Sequence, residues 1–187
     1  MKKLIITTFA AACYLMANAQ VDLYANQDTV TGANVTYRVT EMSSSSYYIS
    51  NVTNTRIGEK MRLLDGSPAP PLYDDDYYMY LKAIGYLKAI RNAIFQEIFT
   101  SSQLKTLKAE GKMLGIDVVI LPNNGSIAEV RFSFSKKSFM SSIPPDTWYA
   151  LETKIKERVK FTVSPELKTR QFISGLLLWS FKTVPTD

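Results

Sequence analysis

The segment VVILPNNGSIAEVRFSFSKK, residues 118–137, constrains this chain more than any other. Asn123-Asn124-Gly125 supplies residues that tolerate positive φ, as a tight hairpin turn demands. Ahead of it, Ile116, Val118 and Ile120 fall on one face of a strand. Behind it, Ala128, Val130, Phe132 and Phe134 share one face, and Glu129, Arg131 and Ser133 the other. Period-two alternation of this kind predicts an antiparallel hairpin with one buried face and one face that is wet or partnered.

The other elements follow from the same patterning. Val35, Tyr37 and Val39 alternate with Thr36, Arg38 and Thr40, and SYYISNVTN gives a second strand-like run. Ser43–Ser46 would form the loop of this N-terminal hairpin. LLDGSPAPPLYDDD, with Gly66, Pro68, Pro70 and Pro71, then interrupts regular structure and marks a boundary. Tyr80, Ile84, Leu87, Ile90, Ile94 and Ile98 recur at spacings of three and four, which predicts a long helix over Asp75–Phe99. Asp74, Asp75 and Asp76 would sit at its positive end. A short helix over Gln103–Glu110 is expected next, capped by Ser101 or Ser102 and ended by Gly111. Pro144-Pro145-Asp146 opens a third helix running to about Phe161. Its inward stripe is Trp148, Leu151, Ile155 and Val159, with Glu152, Lys154, Lys156, Glu157 and Arg158 toward solvent. QFISGLLLWSF closes the chain as a strand. The expected fold is α+β: a small antiparallel sheet with helices on one face, preceded by a long helix and an N-terminal β-hairpin region. The expected segments are a leader (1–19), a β-rich region (20–72) and a helix plus α+β domain (73–187).

The N-terminus reads as export code. Lys2 and Lys3 precede a short apolar core, and Ala17-Asn18-Ala19 gives the small-x-small pattern before Gln20. The expectation is a secretory signal peptide cut between Ala19 and Gln20, because the apolar run is too short to span a bilayer. Ala10-Ala11-Ala12-Cys13 is a degenerate lipobox, so a lipoprotein anchored at Cys13 is the alternative. The expected location is the periplasm or the cell exterior, with no transmembrane span after cleavage.

The chain has no His, and its one Cys lies in the leader. The exported chain therefore has no disulfide, no Cys/His metal cage, and no Ser-His-Asp or Cys-His arrangement. Catalysis would fall to carboxylates, Lys, Tyr or Ser. The 22 basic against 17 acidic residues are spread out, without a polybasic run interleaved with aromatics. Nucleic acid is not an expected partner, and no cofactor is expected.

Four stretches taken in order carry a resemblance. LKAEGK gives a short helix and lead-in, and VVILPNNGSIAEVRFSFSKKS a strand-turn-strand with small polar residues in its tail. RVKFTVSPE ends a helix with an aromatic and a following proline, and ISGLLLWSF supplies a last strand. In this order, residues 103–182 resemble the C-terminal domain of the TonB family. The resemblance implies a three-stranded antiparallel sheet with helices on one face. It also implies binding of a peptide from an outer-membrane receptor, which pairs with an exposed strand. The cleavable leader and the short Pro patch depart from family members that transmit energy, which keep a membrane anchor and a long Pro-rich spacer. The domain type carries over better than the energy-coupling role.

The expected function is thus a non-enzymatic envelope protein that binds a protein or peptide through a sheet edge. The outward residues of the last strand, Phe172, Ser174, Leu176, Leu178 and Ser180, are the candidate binding surface. The alternative is a structural or accessory envelope protein. Third comes a carboxylate-based hydrolase drawing on Glu97, Glu110, Asp117, Glu129, Glu152 and Glu157. Asp74–Asp76 could hold a hard cation, but read better as a helix start. Tyr47, Tyr48, Tyr73, Tyr77, Tyr78 and Tyr80 form either core edges or an aromatic binding surface.

Overall fold

A computed structural model of the chain describes residues 21–72 and 81–186. The leader with Cys13, Ala19 and Gln20, the Asp74–Asp76 run, and Tyr73, Tyr77, Tyr78 and Tyr80 lie outside the described residues.

The protein is α+β. Among the described residues its main sheet has six antiparallel strands, and a second sheet has two. The strands are β1 (Thr29–Thr31), β2 (Thr36–Ser43), β3 (Ser46–Asn51), β4 (Leu81–Ala83), β5 (Met113–Ile120), β6 (Ile127–Ser135), β7 (Phe161–Val163) and β8 (Ile173–Ser180). The helices are α1 (Leu87–Ile98), α2 (Ser101–Glu110) and α3 (Pro145–Arg158). The order in the large sheet is β1-β2-β3-β6-β5-β8, and β4 pairs with β7.

Both hairpins form where alternation places them. In β5–β6, Ile116 faces Phe132 and Val118 faces Val130, with a register irregularity at Val119/Ile120. In β2–β3, Val39 faces Ile49. The two hairpins then join: β3 pairs with β6, bringing Ile49 opposite Phe132 and Tyr47 opposite Phe134. Residues 21–51 therefore extend the same sheet as the C-terminal strands. The three-stranded sheet implied by the TonB resemblance is here a six-stranded one.

The inner face of the sheet carries Tyr37, Val39, Tyr47, Ile49, Leu114, Ile116, Val118, Val130, Phe132 and Phe134, all buried. The helices cover it. Trp148 of α3 stacks on Phe134 with ring centres 5.0 Å apart, and packs on Phe132. Phe95 of α1 stacks on Phe181 at 4.3 Å and meets Trp179 edge-on. Asp146, in the first turn of α3, accepts hydrogen bonds from Ala33 N and Asn34 N at 2.9 and 3.1 Å. Those bonds lower its carboxyl below the usual range and tie the β1–β2 turn to the helix.

Three expectations are corrected. The helix read over Asp75–Phe99 begins only at Leu87. Leu81–Ala83 is instead a strand against Phe161–Val163, followed by Gly85 at φ +83°. A left-handed residue breaks the helical path, and Ile84 is 53% exposed rather than part of the stripe. The cap of α2 is Thr100, not Ser101 or Ser102. It forms a reciprocal capping box with Gln103. Glu152, read as solvent-facing, is buried.

Three buried tyrosines give the fold a pH dependence. Burial, with a hydrogen bond to Asp22, raises Tyr47 to about 12. Burial drives Tyr24 and Tyr37 well above the ordinary value of 10.0. A raised folded-state value means the native state holds protons that the unfolded chain releases. Stability is therefore full below pH 10 and falls as pH rises beyond it, by on the order of 1.4 kcal/mol per pH unit for each such tyrosine. Urea midpoints measured from about pH 9 to 12 should decline steeply above pH 10. The phenolate absorbance of these three tyrosines should appear together with unfolding.

Candidate functional site

β8 is one edge of the large sheet. Among the described residues it pairs with β5 alone, in unbroken register from Met113↔Ser180 to Ile120↔Ile173. In an antiparallel pair, alternate residues of each strand turn their N–H and C=O groups away from the partner. Along β8, alternate backbone groups thus face outward. The strand reads ISGLLLWS, without a charge, a proline or a bulge. Natural edge strands are usually guarded by one of these.

The pleat assigns the side chains. Ile173 and Trp179 are buried on the inner face, and Leu177 packs against the core. Leu176 and Leu178 stand on the outer face, 59% and 62% exposed, and Ser174 and Ser180 are half-buried there. Of the five residues expected to form the surface, these four share the outer face. Phe172 does not, being buried. It lies beside Arg170 and Gln171, which hold the 61–70 loop: Arg170 Nη2 donates to Pro70 O at 2.8 Å and Gln171 N to Arg62 O at 2.9 Å.

Rows across the outer face run from β8 inward. Leu178 is beside Gly115, and Gly115 beside Ser133. A Cβ at Gly115 would lie 2.2 Å from Ser133 Oγ, so the surface next to Leu178 has to stay low. Leu176 is beside Asp117, whose carboxylate accepts from Arg131 Nε at 2.9 Å. The Arg131 guanidinium lies 4.3 Å from the Tyr48 ring centre. At the end of this face the 54–57 loop folds over Glu129. Its carboxylate accepts backbone N–H bonds from Thr55, Arg56 and Ile57 at 2.9–3.1 Å. Glu129 thereby anchors a loop and is not available for chemistry.

A second feature escaped the sequence pattern. Glu152, whose side chain is 2% exposed, receives the Tyr37 hydroxyl at 2.7 Å on Oε2 and Lys156 Nζ at 2.5 Å on Oε1. Beside this triad lies an open cleft of about 420 Å³ lined by Asn51, Thr53, Tyr149, Glu152, Thr153, Lys156 and Glu157. The signal available in sequence was position: 152 is four residues after Trp148 and three before Ile155, within the apolar stripe.

The other carboxylates are dispersed. Glu110 accepts from Ser138 Oγ and Phe139 N, and Glu97 pairs with Lys154 and Arg158. Among the described residues there is no group of three or more His, Cys, Asp or Glu placed to hold a metal ion, and no helix long and apolar enough to cross a membrane.

Residues 83–179, from β4 to β8, match the family described as Domain of unknown function (DUF5043). The chain belongs to that family. A solved relative by fold is a DUF5043 family protein from Bacteroides uniformis ATCC 8492. It superposes with a TM-score of 0.71 at 19% identity, over 86% of this chain and 88% of that one. At that identity the likeness is one of architecture. No curated protein matches the chain.

Proposed function

We propose that this protein is a non-enzymatic binding module of the bacterial envelope that captures an extended segment of another protein along β8. The observation that carries the reading is the eight-residue edge strand, unguarded by charge or proline, with Leu176 and Leu178 exposed beside it. An added strand would take up the outward N–H and C=O groups, each bond contributing about 0.5–1.5 kcal/mol net. The two leucines would receive apolar side chains at alternate positions of the incoming segment. The TonB-like order of residues 103–182 supports the reading, as does a leader that would deliver the chain to the envelope.

The Glu152 cluster does not favour the hydrolase alternative. Both Glu152 oxygens are already engaged, one by a phenol and one by an ammonium group. A general acid or nucleophile needs a free oxygen facing its substrate.

The test is photo-crosslinking from position 178 in envelope extract, with adducts mapped by mass spectrometry. The expected adduct is one defined extended segment. Leu176→Lys should abolish it without unfolding the protein, because lysine on an exposed edge blocks strand addition. Scattered adducts, or adducts undiminished in Leu176→Lys, would overturn the reading.

A further inference from the structure

We propose that the cleft between the end of β3 and the outer flank of α3 binds a neutral saccharide. This goes beyond the edge reading and does not depend on it. The starting point is a broken rule. The stripe of α3 that meets the sheet is Trp148, Leu151, Ile155 and Val159, and a glutamate interrupts it at position 152. Burying a carboxylate is costly even when it is paired, and such departures from local consistency concentrate at working sites. Tyr37 and Lys156 fix Glu152 from two sides and so hold Lys156 at the mouth of the cleft.

The hydrogen-bonding inventory of the lining identifies the class of ligand. Asn51 uses Oδ1 to accept from Thr53 N and Thr53 Oγ1, at 3.1 and 2.8 Å, which leaves its amide donors for a ligand. Lys156 has further N–H donors beyond the one given to Glu152. Thr153 Oγ1 donates back to Tyr149 O at 2.9 Å and keeps acceptor capacity. Glu157 supplies acceptors and is offset by Lys154 at 3.4 Å. Tyr149 lines the cleft and is 38% exposed. The lining thus mixes donors and acceptors, sets one ammonium group against two carboxylates, and includes one aromatic side chain. Vicinal hydroxyls need the first property, and the C–H face of a sugar ring suits the last. An anion would face two carboxylates, and an apolar ligand would strand the polar lining. The volume falls within the range of about 300–1,000 Å³ usual for small-molecule sites.

The test is amide NMR of the exported chain titrated with maltose, cellobiose or N,N′-diacetylchitobiose, and separately with inorganic phosphate. At least one disaccharide should give saturable shifts confined to residues 51–53 and 149–157, and phosphate should give none there. Tyr149→Ala should weaken that binding about tenfold while leaving the rest of the spectrum in place, since its ring is partly exposed. Thr153→Val, a near-isosteric change, gives a second reading on a folded background. The inference is overturned if no disaccharide shifts these amides at about 10 mM, a concentration that detects even millimolar affinity. It is equally overturned if phosphate is the ligand that shifts them, or if Tyr149→Ala binds as tightly as the parent.

Discussion

Gly125→Ala is expected to cost at least about 3 kcal/mol of stability, summed from a left-handed backbone penalty, a lost hydrogen bond and a forced displacement. Gly125 has φ +69°, and a Cβ built on it would lie 1.7 Å from the Phe161 carbonyl oxygen and 2.8 Å from its carbon. These are backbone atoms, which cannot swing aside as a side chain can. The turn is also stapled there: Phe161 N donates to Gly125 O at 2.9 Å, and Ser126 bridges to Lys160. An alanine therefore has to push β7 away from the hairpin, and with it the β4–β7 sheet. Gly66 provides the control. It has φ +88° with nothing within 4 Å of its notional Cβ, so Gly66→Ala should cost only about 1 kcal/mol. Urea unfolding of the two variants measures the difference. Equal costs would mean that the turn does not touch Phe161.

Glu152→Ala should destabilise the protein by about 3–5 kcal/mol, the range for breaking a buried, hydrogen-bonded charge pair. The Tyr37 hydroxyl would lose its acceptor inside the core, and a gap would open beside Trp148 and Ile155. Lys156 is about one-third exposed and can turn to water, so the tyrosine bears most of the loss. A cycle with Tyr37→Phe separates these effects. Once Glu152 is gone, removing the hydroxyl should cost little or even help, because an unsatisfied buried phenol is removed. Strict additivity of the two substitutions would show that the 2.7 Å contact carries no coupling.

Much of this architecture was legible because it is local. The Asn-Asn-Gly turn and the flanking alternation specify β5 and β6, and Val35–Val39 specify the inward face of β2. The alternation in QFISGLLLWSF likewise puts Leu176 and Leu178 outside. What failed depends on partners distant in sequence. The apolar spacing through Ile84 continues that of Leu87–Ile98, so periodicity alone extends the helix. Only the pairing of Leu81–Ala83 with Phe161–Val163 makes that stretch a strand. Glu152 is polar and was assigned to water; the Tyr37 hydroxyl, 115 positions away, keeps it in the core. Phe172 has the parity of the outer face but is buried, next in sequence to Arg170 and Gln171, which bond to the 61–70 loop. The union of the two hairpins through β3 and β6 has no local signature, since either hairpin could end a sheet.

The account rests on β8 being an open edge, and amide hydrogen exchange read residue by residue along Ile173–Ser180 tests this most directly. Alternate amides, those bonded to β5, should be strongly protected, and those between them should exchange at least about a hundredfold faster, as solvent-facing N–H groups outside the ladder do. Uniform protection along all eight residues would mean that something already covers the edge, and would contradict the proposed mode of binding.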